Sequence, residues 1–231
     1  MNESSNETFR ASLRNGAMLA LFALVSTGLI AIIHGLTKDK ISQEVEAAMA
    51  RRLNEIVSSD QYDNDVYHDC IQVTADPLLG PQADTKFYRM RLSARNYGVF
   101  FTAVAPDGYS GKIKLVVGVY ADGTLAGVRV SEHQETPGLG DKIEIEKSDW
   151  IKQFSGKSLD NLDSQLWKVK KDGGEFDALT GATITPRAVV KSVYNALVYY
   201  QKNQSKLYVQ LEHDDIAPDS DSANIKSCGG A

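Results

Sequence analysis

The longest apolar stretch of the chain lies near its start. Residues 16–36 contain no Asp, Glu, Lys or Arg, and their only ionisable side chain is His34 at the far end. At a rise of about 1.5 Å per residue this stretch forms a helix of roughly 31 Å, which matches a hydrocarbon core of about 30 Å. A cleavable signal peptide has an apolar run of only about 7–15 residues, followed by a small-x-small cleavage site. The pattern therefore predicts an uncleaved transmembrane helix.

The residues after the span keep a helical pattern. Within residues 37–58, side chains recur at helical spacing, namely Ile41, Val45, Ala48, Arg52 and Ile56. This spacing predicts an amphipathic stalk helix that continues from the membrane helix.

The charges on the two sides of the span nearly balance. Arg10 and Arg14 lie in the N-terminal arm, residues 1–15, whereas Lys38 and Lys40 follow the span. The positive-inside rule alone therefore leaves the orientation open. Because a short arm usually stays inside when a large domain follows, we expect a cytoplasmic arm and a periplasmic domain.

Strand patterns follow a loop-like stretch over residues 58–84. Four segments alternate or run apolar: Lys86–Ala94, Tyr97–Ala105, Lys112–Tyr120 and Thr124–Ser131. Arg95-Asn96 is the predicted turn between the first two, and Ala121-Asp122-Gly123 is a strong hairpin signal between the last two. The pattern predicts a small antiparallel sheet.

Helical patterns complete the soluble part. We predict a short helical piece over Asp149–Phe154, a further strand near Gln165–Lys170 and a helix from Pro186 to about Lys202. The last helix places one apolar face on the sheet, formed by Val190, Val193, Leu197 and Tyr200. Residues 59–211 are therefore predicted to form an α+β domain.

Charge and cysteine content bear on three further questions: the nature of the C-terminal tail, nucleic-acid binding and disulfide bonding. The chain has a net charge of -5, and residues 212–231 hold five acidic side chains against one lysine, so this tail is predicted to be acidic and disordered. A net-acidic chain is a poor candidate for nucleic-acid binding, which needs a surplus of Lys and Arg. The two cysteines, Cys70 and Cys228, cannot form a disulfide framework, and the sequence leaves open whether they are bridged.

The loop before the last helix could carry chemistry. It runs from Asp177 to Arg187, with Thr185 as the predicted N-cap and Pro186 as the first helical residue. The free amides of a helix start favour an anion such as phosphate. Arg187 could add a charge-assisted hydrogen bond, or it could be a solvated arginine. The spacing alone is more typical of a turn and a capped helix without a ligand.

A second loop follows the predicted hairpin. It reads His133-Gln134-Glu135-Thr136-Pro137-Gly138-Leu139-Gly140-Asp141. Its Pro-Gly-Leu-Gly turn presents one leucine between backbone groups that could lie against a planar ligand. His133 is most simply a surface or capping histidine. The four histidines show no metal-ligand spacing, and no dinucleotide fingerprint, P-loop or nucleophile elbow is present.

Taken together, the two loops resemble a known family. Asp177–Thr183 matches the Asp-x-x-Thr-Gly-Ala-Thr motif on which flavin transferases attach FMN, through its phosphate, to the last threonine. With Glu135–Gly140 upstream and one N-terminal anchor, the chain resembles the G subunits of the Rnf (Rsx) ion-translocating electron-transport complexes. These are related to the C subunit of the sodium-pumping NADH:quinone oxidoreductase. The resemblance covers nearly the whole chain.

The resemblance implies a role for each site residue. Thr183 would carry covalent FMN, and the rest of the transferase motif would be Asp177, Thr180, Gly181 and Ala182. Thr185 would belong to the same site. The isoalloxazine ring would lie near Thr136, Pro137, Gly138 and Leu139.

The resemblance also implies a function and partners. The chain would be a single-pass inner-membrane protein whose periplasmic FMN relays electrons within an ion-translocating NADH or ferredoxin oxidoreductase, without turning over substrate alone. Its partners would be iron-sulfur, flavin and membrane subunits, with a flavin transferase during maturation. Two alternatives remain open here: a non-catalytic periplasmic binding or scaffold domain, and a flavin-bearing regulatory protein of another respiratory system.

Overall fold

A computed structural model describes the backbone of residues 3–208 and 225–227, with side chains for residues 10, 13–38, 40, 41, 44 and 51–208. The helices are α1, Glu3–Ile56, and α2, Ile184–Leu207. The strands are β1, Cys70–Thr74; β2, Asp84–Leu92; β3, Arg95–Ala105; β4, Ile113–Tyr120; β5, Leu125–Glu132; and β6, Ile225–Ser227. Short 3-10 helices include Gly140–Ile143 and Asp149–Phe154. The predicted tail over 212–231 lies outside the described residues except for β6.

The predicted span and stalk fall on one continuous helix, α1. Its segment Leu13–Lys38 is long and apolar enough to cross a membrane. The described leucines, isoleucines and valines of this segment are exposed, as a lipid-facing helix requires. The chain divides into two compact units, residues 1–50 and 51–231, so the end of α1 belongs to the second.

All six strands form one antiparallel sheet in the order β5-β4-β3-β2-β1-β6. The four predicted strands are confirmed, but the predicted turn at Arg95-Asn96 is wrong. Leu92 pairs with Arg95, so the turn consists of Ser93 and Ala94, both with positive φ. A two-residue hairpin loop needs this left-handed backbone, and the usual Asn-Gly signal does not occur at this turn.

Two other predictions about strands are wrong. Strand β1 lies inside the predicted loop 58–84, where its five residues offer too short an alternation to recognise. The predicted strand near Gln165–Lys170 is a 3-10 turn followed by a single bridge between Val169 and Phe176. The isolated apolar side chains of that segment fill the core without sheet pairing.

The sheet is covered on both faces. The predicted apolar face of α2 is confirmed, since Val190, Val193, Leu197 and Tyr200 are all buried. On the other face, a Cβ on Gly118 or Gly127 would come within 3.2 Å of the Ile56 side chain at the end of α1. Arg129 fastens that end, because its guanidinium donates to the Glu55 carbonyl at 2.6 Å and to its carboxylate at 3.2 Å.

The sheet edge beside β1 carries a covalent link. Cys70 is disulfide-bonded and 3% exposed. Ile71, the next residue, pairs with Ser227 of β6. Cys228 lies outside the described residues.

Candidate functional site

Both loops singled out in the sequence meet at one cavity of about 280 Å³. Its lining combines three short segments of the chain: Tyr109; Glu135, Thr136, Leu139 and Gly140; and Gly181, Ala182, Thr183, Ile184 and Thr185. Six of these were predicted as site residues: Thr136, Leu139, Gly181, Ala182, Thr183 and Thr185. The fold therefore joins the loop after β5 to the loop that starts α2.

Direct contact between the two loops depends on Gly181. Its φ is +82°, and a Cβ there would lie 2.8 Å from Cδ2 of Leu139. Glycine is the residue that permits both the left-handed backbone and this close approach. The turn around it is closed by the Ala182 amide, which donates to the Leu179 carbonyl at 3.2 Å.

The loop after β5 folds around one carbonyl. The Thr136 carbonyl accepts from the amides of Leu139 at 3.2 Å and Gly140 at 3.0 Å. Pro137 and Gly138 form the exposed tip of this turn, where Gly138 has a φ of +78°. These two predicted ring contacts do not line the cavity, whereas the leucine that follows does.

The loop before α2 is held at Asp177 by the 3-10 helix Asp149–Phe154. The Trp150 indole N–H donates to the Asp177 carbonyl at 2.7 Å, and the Asp177 amide donates to Oε1 of Gln153 at 2.8 Å. The Asp177 carboxylate points elsewhere, to Lys170 at 2.6 Å, and this hydrogen bond raises the pKa of the lysine. Asp177 and the exposed Thr180 lie outside the cavity lining.

The start of α2 differs from the predicted cap. The helix begins at Ile184 with Thr183 in the N-cap position, so the prediction of Thr185 as the cap is wrong. Thr185 is fully buried within the first turn, and its hydroxyl donates to the Glu135 carboxylate. Thr183 is half-buried and makes no side-chain capping bond, so its hydroxyl is not committed to the helix.

Glu135 is the main feature that residue spacing did not single out. It is 4% exposed and also accepts from the backbone amides of Ser110 at 2.9 Å and Tyr109 at 3.2 Å. An acidic residue directly before a Thr-Pro-Gly turn was the available signal. Tyr109, in the loop between β3 and β4, carried no signal, because its loop reaches the site only through the tertiary fold.

Two cationic side chains near this loop, Lys170 and Arg187, are each paired with an aspartate. Arg187 binds both oxygens of Asp172, at 2.5 and 2.6 Å, and lowers the pKa of that carboxyl group. It does not line the cavity, so the described structure places it as a partner of Asp172. His133 contacts Glu144 and accepts from the Glu135 amide at 2.9 Å, which is a structural role.

The arrangement suits an anion attached to a flat apolar group. An anion on the Thr183 oxygen would lie at the N-terminus of a 24-residue helix, whose first amides and dipole favour negative charge. The cavity rim is apolar and accessible: Tyr109 is 66% exposed, Ile184 46% and Leu139 41%. The cavity is also slightly smaller than the roughly 300–1,000 Å³ of enclosing small-molecule pockets. Such a site would hold a planar ligand while leaving part of it accessible.

Other parts of the described structure offer weaker candidates. A larger groove of about 740 Å³ contains side chains of both charges, including Arg52, Lys112, Lys114, Glu132 and Glu144. Apart from His133 and Gln134 it shares no residue with the two loops. Among the described residues, no group of three His, Cys, Asp or Glu is placed to hold a metal ion.

Comparison with known families places the cavity inside a recognised domain. A family model described as the FMN-binding domain matches residues 108–198, which include all residues lining the cavity. A second model, described as the RnfG N-terminal region, matches residues 1–56 and so contains α1.

Similar proteins match along most of their length. The G subunit of the ion-translocating oxidoreductase complex of Vibrio atlanticus is 47% identical over 197 residues, which is 85% of this chain and 94% of that protein. The protein of the same name from Pseudomonas aeruginosa (strain UCBPP-PA14) is 47% identical over 205 residues, or 89% and 96% of the two chains. That of Shewanella oneidensis is 42% identical over 198 residues, or 86% and 93%.

Proposed function

Because the chain belongs to the family of G subunits of ion-translocating oxidoreductase complexes, we propose that it carries FMN covalently on Thr183 and relays electrons through it. The chain has an FMN-binding domain and, within the part that the structure describes, one helix able to span a membrane, which lies near the N-terminus. It is accordingly a membrane-anchored flavin subunit of an ion-translocating oxidoreductase, as the sequence predicted. Family membership favours this interpretation over the scaffold and regulatory alternatives.

One observation carries the proposed attachment site. Thr183 lies at the N-cap of α2, lines the cavity between the two loops and makes no side-chain capping bond. An FMN phosphodiester on its oxygen keeps one negative charge, which the helix start stabilises. Lys170 and Arg187 are each paired with an aspartate, so the helix amides and the covalent bond would hold the phosphate without a basic patch.

The other lining residues would position the flavin. Leu139, Ile184 and Tyr109 offer apolar surface at the rim, and Gly181 lets the loops approach. When bound, FMN supplies one- and two-electron chemistry, while the protein supplies placement and electrostatics. Covalent attachment suits a relay, because a carrier that repeatedly accepts and donates electrons must not dissociate.

We place the domain on the periplasmic side of the membrane. The disulfide at Cys70 supports this placement, because disulfides persist in the oxidising periplasm and are rare in the cytosol. The proposed partners are the other subunits of the complex and, during maturation, a flavin transferase. Asp177 and Thr180, which lie outside the cavity on the exposed surface, are suited to contact with that transferase.

A denaturing gel tests the proposed cofactor directly. Full-length protein purified from membranes is expected to show flavin fluorescence in its own band after boiling, since only a covalent flavin survives unfolding. Peptide mass spectrometry should then find the FMN mass on Thr183. A colourless band, or flavin released by denaturation, would contradict covalent attachment.

Thiol chemistry tests the proposed compartment. Unreduced protein is expected to react with no maleimide, because Cys70 is disulfide-bonded and the chain has two cysteines in all. The expected partner of Cys70 is Cys228, so non-reducing trypsin digestion should give peptide 53–86 linked to peptide 227–231. A Cys70→Ser variant should expose one reactive thiol. Two reactive thiols in protein alkylated within intact cells would argue against an oxidising compartment.

A further inference from the structure

Three threonines lie close together around the proposed attachment site, and their hydroxyl groups differ in exposure and in hydrogen bonding. Thr180 is exposed and lies outside the cavity lining. Thr185 is 0% exposed, and its hydroxyl donates to the Glu135 carboxylate. Thr183 lines the cavity and leaves its hydroxyl out of helix capping. Of these three hydroxyl groups, one is both at the cavity and uncommitted to a described bond.

The Glu135 carboxylate joins three separate segments of the chain. Its Oε1 accepts from the Ser110 amide, and its Oε2 accepts from the Tyr109 amide and the Thr185 hydroxyl. Hydrogen bonds to an ionised acceptor are stronger than neutral ones, and a buried carboxylate is costly unless it is satisfied. This group therefore holds the β3–β4 loop, the loop after β5 and the first turn of α2 in one arrangement.

Close packing around the pair restricts that arrangement further. A Cβ on Gly140 would lie 3.0 Å from both the Glu135 Cβ and the Thr185 hydroxyl oxygen. A Cβ on Gly108 would lie 3.0 Å from Oε1 of Glu135. The backbone thus encloses the carboxylate from two sides, which leaves little freedom for the Thr185 bond to move.

We propose that the Glu135–Thr185 pair selects Thr183 as the FMN acceptor, an inference that rests on the proposed function. The pair removes the Thr185 hydroxyl from competition and fixes the first turn of α2, which places the Thr183 oxygen at the cavity. Glu135 is a positioning residue, because its carboxylate is committed to three donors and reaches Thr183 through Thr185.

FAD is the donor in the group transfer, and the step is balanced in atoms and electrons. The bond between Thr183 Oγ1 and the phosphorus of the FMN moiety forms as the P–O bond to AMP breaks. AMP leaves with the bonding electron pair, and the threonine proton passes to a base of the transferase or to solvent. No oxidant or reductant is required. The contribution of the pair is to hold the attacking oxygen in place.

Removal of the Thr185 hydroxyl should slow this transfer. Thr185→Val keeps the branched shape but not the donor, and a misplacement of about 1 Å can cost about 100-fold in rate. We expect the rate at saturating FAD to fall about 10- to 100-fold, with the KM for FAD unchanged. Thr185→Ser retains the donor and should react within about threefold of the unaltered protein, since only a methyl group is lost.

Glu135→Gln tests the other half of the pair. The amide keeps the size of the carboxyl group but loses the charge that three donors share, so a similar slowing is expected. Because the two residues act through one bond, the double variant Glu135→Gln/Thr185→Val should be no slower than the slower single variant. Glu132→Gln is the matched control, as its exposed side chain binds Lys114 instead.

The experiment uses full-length flavin-free protein in detergent, a purified flavin transferase and FAD. Fluorescence of the protein band is followed over time at several FAD concentrations, and mass spectrometry maps the product. Circular dichroism melts identify any variant that has not folded. If Glu135→Gln has not folded, the comparison of Thr185→Ser with Thr185→Val decides; if Thr185→Val has not folded, the comparison of Glu135→Gln with Glu132→Gln decides. The proposal is overturned if Thr185→Val matches the unaltered rate, or if Thr185→Ser is as slow as Thr185→Val. Unaltered protein that takes up no flavin, or takes it up elsewhere, refutes the proposed function itself.

Discussion

Thr183→Val is expected to give a folded, membrane-bound protein without covalent flavin. The valine side chain keeps the branched shape of threonine but has no oxygen to form the phosphodiester. Thr183 is half-buried and its side chain makes no capping bond, so stability should change by no more than about 0.5 kcal/mol. In-gel fluorescence of the denatured protein is the measurement, with membrane fractionation to show that the protein is inserted.

Two variants serve as controls for this result. Thr183→Ser retains a hydroxyl on the same atom and should keep detectable flavin fluorescence. Thr180→Val removes a hydroxyl group from the proposed transferase contact but leaves the proposed attachment atom in place, so flavin carried by this variant should still map to Thr183. Flavin fluorescence that persists in Thr183→Val would show that another residue is the acceptor.

Phe154→Ala should cause the largest loss of stability linked to the site. Phe154 is 0% exposed and packs on the Phe176 ring at a centroid distance of 4.7 Å and on Trp150 at 5.6 Å. Truncation of such a side chain costs about 3–5 kcal/mol, a large share of the roughly 5–15 kcal/mol that holds a typical domain together. Because Phe176 directly precedes Asp177, the loop that holds the proposed FMN attachment site should loosen as well.

Urea unfolding in detergent, followed by tryptophan fluorescence, checks the effect. Both tryptophans of the chain report on this region, since Trp150 and Trp167 each contact the Phe154–Phe176 pair. Phe154→Leu is the matched control and should cost less, because it retains most of the buried volume. A cost below about 1 kcal/mol for Phe154→Ala would show that the 3-10 helix contributes little to the core.

Local sequence patterns were sufficient to predict secondary structure where a segment is long or strongly periodic. The apolar run at residues 16–36, the hairpin at Ala121-Asp122-Gly123 and the buried face of α2 are all present as predicted. Short elements were not recognisable. Strand β1 has five residues and β6 has three, so each depends on pairing with a partner that is distant in sequence.

The N-cap of α2 is a second feature that local sequence signals did not predict. Thr-Pro is a good local signal for a helix start, yet the helix begins earlier and uses Thr183 as its N-cap. The local preference of Thr185 is overridden because a buried carboxylate from residue 135 needs its hydroxyl. Glu135 lies 50 residues before Thr185, so a short stretch of sequence around residue 185 does not include it.

The sequence by itself determined the membrane helix, the α+β class and the two loops whose residues resemble an FMN attachment site, because these depend on neighbouring residues along the chain. Only the tertiary structure decided that the loops share one cavity, that Tyr109 joins them and that Thr183 has the uncommitted hydroxyl. The physical reason is that a buried polar group must find its partner in space, and for Glu135 those partners are about 25 and 50 residues away.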